Sequence, residues 1–197
     1  MKTIEIVGYK REQLGKTTAK ALRQEANVPS VLYGGEKNIH FHAPMILFRD
    51  LVYTPEVAFV KLNIEGDIHT CILQDIQFHP VSEIIMHADF LELSDDRPVT
   101  MEIPVKFQGS SPGILKGGKL VTKLRKVKVK SLPQHMPDNI IVSIDGLELG
   151  KSVKISSLEQ KDYTILNNPM VTIASVEIPR ALKSAQSKDG GDEGAAE

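Results

Sequence analysis

Hydrophobic and polar residues alternate along most of this chain with a period of two. The stretch KTIEIVGY near the N-terminus alternates as a half-buried strand does. The period lengthens in KTTAKALRQEAN, where Ala19, Leu22 and Ala26 fall on one helical face and Lys16, Lys20 and Arg23 form a stripe beside it. Pro29 stands where that helix must end, and VPSVLYGG predicts a short strand closed by a double-glycine turn. NIHFHA predicts a strand, and PMILFRDLVY a short helix with Pro44 in its first turn. EVAFVKLNIEGDIHTCILQDIQF predicts a hairpin turning at Glu65-Gly66-Asp67. In the next strand, EIIMHADFLEL, alternation assigns Ile84, Met86, Ala88 and Phe90 to the core and turns His87 and Asp89 to the other face.

The texture changes after Asp95-Asp96-Arg97-Pro98. From there to about Arg180 the chain holds only strand-like runs: VTMEIPVKF, KLVTKLRKVKVK, NIIVSIDGL, KSVKISSL and MVTIASVEI. Pro and Gly punctuate them at intervals of roughly 10 residues, the mark of an all-β domain, and GILKGGKL reads as a turn or flexible loop. The last segment, ALKSAQSKDGGDEGAAE, is too polar and glycine-rich to bury a core and predicts disorder. The predicted organisation is thus residues 1–97 as one domain, 98–180 as a second, all-β one, and 181–197 as a disordered tail.

Composition narrows the functional classes. A single cysteine, Cys71, excludes a disulfide framework and a multi-cysteine zinc site and fits a reducing, cytoplasmic setting. No apolar run approaches the roughly 20 residues of a membrane span, so no membrane partner is expected. The net charge is only −1, but it is unevenly spread. Residues 1–40 carry seven Lys/Arg against four Asp/Glu and 98–180 twelve against seven, whereas 41–97 carry three against ten. Two basic blocks flank an acidic one, and a polyanion responds to such patches rather than to the sum.

GYKREQLGKTTAK ends in the Gly-Lys-Thr of a phosphate-binding loop, but six residues separate Gly8 from Gly15. A P-loop places four there, so that successive N–H groups curl round one phosphate. A nucleotide cradle is therefore not expected. Lys10, Arg11, Lys16, Lys20 and Arg23 then read either as a solvated helix face or as a phosphate-binding surface, to which the positive end of the helix would add. Tyr33, beside Gly34-Gly35, reads as a core-edge tyrosine or as a ring stacking on a base or sugar. His87 and Asp89 read as an ordinary exposed pair or as partners for a ribose 2′-OH or a base amino group. The strand Lys126, Lys128, Lys130, alternating with Val127 and Val129, has one cationic face, either merely solvated or touching RNA phosphates. His40, His42, His69 and His79 lie in no HExxH, CxxC or GxSxG pattern, so neither a metal, another cofactor nor an enzymatic centre is expected.

Taken together, KREQLGKTTAKALRQEANVPSVLYGG, QDIQFHP and MHADFLEL closely resemble the bacterial large-subunit ribosomal protein twenty-five family, which binds 5S ribosomal RNA. PVTMEIPVKFQGSSPGILKGGKLV and DNIIVSIDGLELGKSVKISSL resemble its longer form, the general stress protein Ctc type. The resemblance implies a mainly β, α+β fold: an N-terminal six-stranded β-barrel with short helices, followed by an antiparallel all-β domain. It implies a non-enzymatic structural role in the large ribosomal subunit, with 5S rRNA as partner and possible neighbouring ribosomal proteins at the C-terminal domain, and a monomer when free. It also implies RNA contacts from Lys10, Arg11, Lys16, Lys20, Arg23, Tyr33, His87 and Asp89, with Gln77 a weaker candidate. Some members carry adjacent arginines where this chain has Lys20-Ala21, and Leu14 is an extra residue in the first loop. The barrel also resembles the anticodon-binding part of glutaminyl-tRNA synthetases, which makes a free tRNA-binding module the alternative.

Overall fold

In a computed structural model, residues 1–158 and 162–179 are described. The predicted tail, 181–197, lies outside them. The chain divides into two compact units. One comprises Met1–Glu102 and Lys130–Asp138; the other comprises Ile103–Val129 and the chain from Asn139 on.

The first unit is built on a closed six-stranded barrel, as the resemblance implies. Its strands are β1 (Lys2–Lys10), β2 (Asn27–Tyr33), β3 (Ile39–Pro44), β4 (Ala58–Ile64), β5 (Asp67–Phe78) and β6 (Ile85–Glu92). They close in the order β1-β3-β2-β6-β5-β4. The β1–β4 and β2–β6 pairs are parallel; the other four are antiparallel. Inward positions follow the period-two pattern, and Ile6, Phe41, Leu62, Ala88 and Phe90 are fully buried. A 3₁₀ turn, Met45–Phe48, drops Phe48 into the core, where its ring stands 6.1 Å from Phe90; the Phe41 ring is 5.8 Å from Phe90 on another side. The helical segment predicted from Pro44 is this turn followed by α2 (Arg49–Val52), with Pro44 itself closing β3.

Two glycines are required by this geometry. A Cβ on Gly8 would lie 2.7 Å from the Phe41 ring, so only glycine lets β1 pass over that side chain. In the β4–β5 hairpin Ile64 pairs with Asp67, leaving Glu65 (φ 56°) and Gly66 (φ 105°) as a two-residue turn with positive φ at both centres. That is the turn whose twist matches the strands, and it falls where the sequence predicts it.

The first helix is shorter than its pattern. α1 spans Lys16–Gln24, and Ala26, at φ 58°, reverses the chain directly into β2. Ala26 is consequently exposed rather than on the packed face, and the helix ends well before Pro29. No residue of α1 is fully buried: it rides on the outside of the barrel against β2.

In the second unit the strands are β7 (Val99–Gln108, which begins in the first), β8 (Lys119–Thr122), β9 (Lys126–Ser131, which ends in the first), β10 (Ile140–Ser143), β11 (Ser152–Lys154), β12 (Thr164–Ile165) and β13 (Thr172–Glu177). They form a four-stranded sheet, β10-β7-β9-β12, and a three-stranded one, β11-β13-β8. The smaller sheet is antiparallel; in the larger, β10 runs parallel to β7. The single run KLVTKLRKVKVK is thus two strands in different sheets. The loop predicted at GILKGG contains one helical turn, α3 (Pro112–Leu115), with Pro at its start and the Ser111 hydroxyl accepting from the Ile114 N–H at 3.3 Å.

Candidate nucleic-acid interface

The candidate residues fall on the end of β1, the loop after it, α1, and the outer face of β2, β6 and β5, three strands that are neighbours in the barrel. Register decides how they meet. Val31 on β2 pairs with Asp89 on β6, and Tyr33 with Leu91; across β6–β5, Asp89 stands opposite Asp75 and His87 opposite Gln77.

Two irregularities in β5–β6 bracket this patch. The register slips between Leu73 and Asp75, making Gln74 an extra residue on β5, and again at Gln77/Phe78, making Met86 the extra residue on β6. A bulge reverses the in–out phase of a strand. Ala88 and Phe90 therefore face the core as alternation predicts, but below the bulge it is Ile85 that is buried, and Ile84 is 41% exposed. The sequence assignment of Ile84 and Met86 to the core is corrected on this point. The bulge has a further consequence: the Met86 carbonyl accepts a hydrogen bond from Arg23 Nε at 3.0 Å. That bond ties the basic helix to the strand one residue before His87.

His87 Nδ1 and Asp89 Oδ1 are 2.6 Å apart, both half-buried. With Nδ1–H donating, the second Asp89 oxygen and His87 Nε2 remain for an outside partner. The hydrogen bond also offsets the repulsion between Asp89 and the facing Asp75, since like charges directly opposite destabilise a strand pair. Tyr33 feels the same two carboxylates. Burial first, then Asp89 and Asp75, push its phenol pKa upward, so the hydroxyl stays a neutral donor. Gln77 is exposed beside His87.

On the cationic side, Lys16 and Lys20 lie one helical turn apart on α1, both exposed. Lys10 and Arg11, adjacent in sequence, have different fates. Lys10 points along the barrel to the hairpin, its Nζ 3.2 Å from Asp67 Oδ2 and its backbone N–H donating to Glu65 Oε1 at 3.1 Å. Arg11 turns the other way: its N–H donates to the His40 carbonyl, and its Nε is buried with no hydrogen-bond partner among the described residues. Burial, and secondarily the Arg23 guanidinium, lower the Arg11 pKa. Arg11 and Arg23 are therefore near neighbours, and Arg11 Nε stands as a donor lacking an acceptor.

Three participants escaped the sequence reading. Asp75 completes the carboxylate pair; its only signal was its period-two relation to Gln77. The Met86 carbonyl cannot be read from a side-chain pattern at all. His42 lies under the Arg11 end, its ring 5.7 Å from Tyr9 and its Nδ1 buried without a hydrogen-bond partner among the described residues. Burial and then Arg11 lower the His42 pKa, with Glu25 acting weakly in the opposite sense.

The remaining polar clusters lie elsewhere on the barrel. His69 Nδ1 is 2.8 Å from Glu92 Oε1, close to Cys71, whose thiol pKa burial drives far upward. His79 Nδ1 accepts from the N–H groups of Val81 and Ser82 in a turn. Among the described residues no three His, Cys, Asp or Glu side chains converge as a metal ion requires, and no helix is long and apolar enough to cross a membrane.

Comparison with known proteins gives family matches in both parts of the chain. The model of the Ribosomal L25p family matches residues 6–90, and that described as Ribosomal protein TL5, C-terminal domain, matches residues 98–180. The large ribosomal subunit protein bL25 of Cytophaga hutchinsonii is 50% identical over 186 residues, covering 94% of this chain and 97% of that protein. The bL25 of Amoebophilus asiaticus is 49% identical, with 97% of each covered, and that of Azobacteroides pseudotrichonymphae 42% identical, with 95% of this chain and all of the other covered. A barrel carrying basic residues beside a Tyr–His–Asp patch, matched over nearly its full length and in both units, belongs to the Ribosomal L25p family, in its long, two-domain form.

Proposed function

We propose that this chain is a structural, non-catalytic constituent of the large ribosomal subunit that binds 5S ribosomal RNA through the barrel of residues 1–97. Its relatives are named as large-subunit proteins, which supports the ribosomal role and a ribosome-associated place in the cytoplasm. The single observation carrying the RNA assignment is the Arg23–Met86 bond, which sets the basic helix beside the strand of the half-buried Tyr33–His87–Asp89 group.

An RNA duplex offers proteins its wide, shallow minor groove, lined by 2′-hydroxyls, and its phosphates on either side. Arg11, Lys16, Lys20 and the free edge of Arg23 suit the phosphates, which position a protein without reading sequence. Asp89 repels phosphate and has no place in a purely electrostatic interface. It suits a donor instead, a 2′-OH or a base amino group, while Tyr33 and His87 supply a donor and a ring beside it, and Gln77 a further polar contact. Of the adjacent pair, Arg11 is the better phosphate ligand, because Lys10 is already neutralised by Asp67.

The test is gel-shift competition on the full chain with 5S rRNA labelled and unlabelled 5S rRNA, bulk tRNA or random RNA as competitor. Competition by 5S rRNA alone supports the proposal. Stronger competition by tRNA would assign the barrel to a tRNA-binding module, and equal competition by all three would reduce the site to a nonspecific basic patch.

A further inference from the structure

From Ile103 to Pro137 the chain carries eight basic residues and no acidic one. None of them belongs to the barrel's face, and the reading above leaves them without a task. In the second unit the fold gathers five of them. Val127 and Val129 of β9 are fully buried, so Lys126 and Lys128 project from the opposite side of the sheet. On β7, Ile103 is buried and Lys106 exposed, so Lys106 projects from that same side. The Val105 N–H donates to the Arg125 carbonyl at 3.0 Å, which sets Lys106 beside the start of β9. Lys123 and Arg125, both exposed, occupy the short connection entering β9, where the N–H groups of Lys123 and Leu124 donate to the Ile173 carbonyl. On the other flank Ile141 pairs with Lys106 and is 63% exposed.

We propose that this sheet face is a second RNA contact, binding the phosphate backbone of a duplex by charge and shape without reading its sequence. Three features point there. Lys106 and Lys126 stand on neighbouring strands of a rigid sheet, and strands lie about 5 Å apart, close to the distance between successive phosphates of one RNA strand. The cations come from one sheet and its adjoining connection, so little ordering entropy opposes a joint contact. The 103–137 run has no acidic residue and only Glu102, on the Lys106 side of β7, borders it, whereas the barrel's face sets Asp75 and Asp89 among its cations. The choice of RNA as the polyanion rests on the ribonucleoprotein role proposed above; the face itself is independent of the barrel site.

The full chain is titrated, over a range of salt concentrations, with a 20-base-pair RNA duplex of arbitrary sequence and separately with a 5S rRNA transcript. The variant Lys106→Gln/Lys123→Gln/Lys126→Gln removes three cations of the face; Lys37→Gln/Lys61→Gln/Lys151→Gln removes three exposed lysines elsewhere. The expected result is about tenfold weaker duplex binding for the first, with the salt slope reduced by about two to three, since each lost phosphate contact removes roughly 0.9 from it. The second triple should change the slope by less than about one, and 5S binding should persist in both. Absence of duplex binding by the parent chain, or an equal loss in the two triples, would overturn the proposal. Failure of the barrel reading shows separately, as 5S binding that ignores Lys16→Ala and Lys20→Ala.

Discussion

The barrel's outer face and the lysine-bearing sheet of the second unit are both basic surfaces built on β-strands, yet they are composed differently. On the barrel, one hydrogen bond, Arg23 to Met86, joins the basic helix to the strand that carries His87 and Asp89, with Asp75 facing Asp89. On the sheet, Lys106, Lys123, Arg125 and Lys126 stand in a run without a single carboxylate. A surface meant only to hold a polyanion gains nothing from carboxylates, because each repels the ligand it serves. Under the two proposals, carboxylates amid the cations of one site, and only at the border of the other, separate recognition from adhesion. On the functions proposed above, the first surface reads and the second grips.

The contrast depends first on the barrel remaining closed, and Phe90 is where it is most vulnerable. Its ring sits between Phe41 and Phe48 with no exposure. Phe90→Ala should cost about 3–5 kcal/mol of stability, read from the denaturant midpoint, and should abolish 5S binding by unfolding the β2–β6–β5 face. A variant that keeps both stability and binding would show that the face does not rely on this core.

Asp89→Ala distinguishes reading from gripping. Loss of an acceptor at a desolvated interface leaves its partner unpaired, at a cost on the order of 1–3 kcal/mol, or about 5- to 150-fold in affinity. Because no phosphate contact is lost, the salt slope should stay the same while selectivity over tRNA falls. Binding that is equal or tighter, with the fold intact by circular dichroism, would make the two surfaces alike.

Lys16→Ala and Lys20→Ala should each act in the opposite manner, weakening 5S binding uniformly and lowering the slope by up to about one unit. A slope unchanged in both would remove α1 from the phosphate contacts.

The smallest effect concerns His42, which only the barrel surface has beneath its cations. Burial and Arg11 hold its pKa below the usual value of about 6.5, so the unfolded chain takes up the proton first. The folded state therefore loses stability as the pH falls through about 6.5, and the loss is complete below the lowered native pKa. Comparing urea midpoints at pH 7 and pH 5, the difference should be smaller in His42→Gln than in the parent. An identical difference would show that His42 titrates freely in the fold.

Much of the architecture was legible in the chain. Period-two alternation located β1–β6, and the Glu65-Gly66 turn was readable because two positive φ angles in succession demand such residues. The errors share a cause, which is that local periodicity cannot see a change of phase. The bulge at Met86 exposed Ile84 and buried Ile85, and the left-handed turn at Ala26 ended α1 two residues before that alanine, with Ala26 itself turned out to solvent. GILKGG hid a helical turn because Pro112 and the Ser111 cap outweigh its glycines over so short a span. At the candidate site, residue types were visible but partnerships were not. Lys10 and Arg11 are adjacent and chemically alike; only the barrel sends one to Asp67 and the other toward Arg23.

The sequence by itself determined which residues face inward along each unbroken run of strand, where the β4–β5 hairpin turns, and that basic blocks flank an acidic one, because side-chain alternation, backbone freedom and charge are local properties. The tertiary structure alone decided that Asp75 opposes Asp89, that a bulged carbonyl holds Arg23, and that lysines of separate strands share one face. Those depend on register between strands distant in the chain, and a slip of a single residue in that register reverses every side chain beyond it.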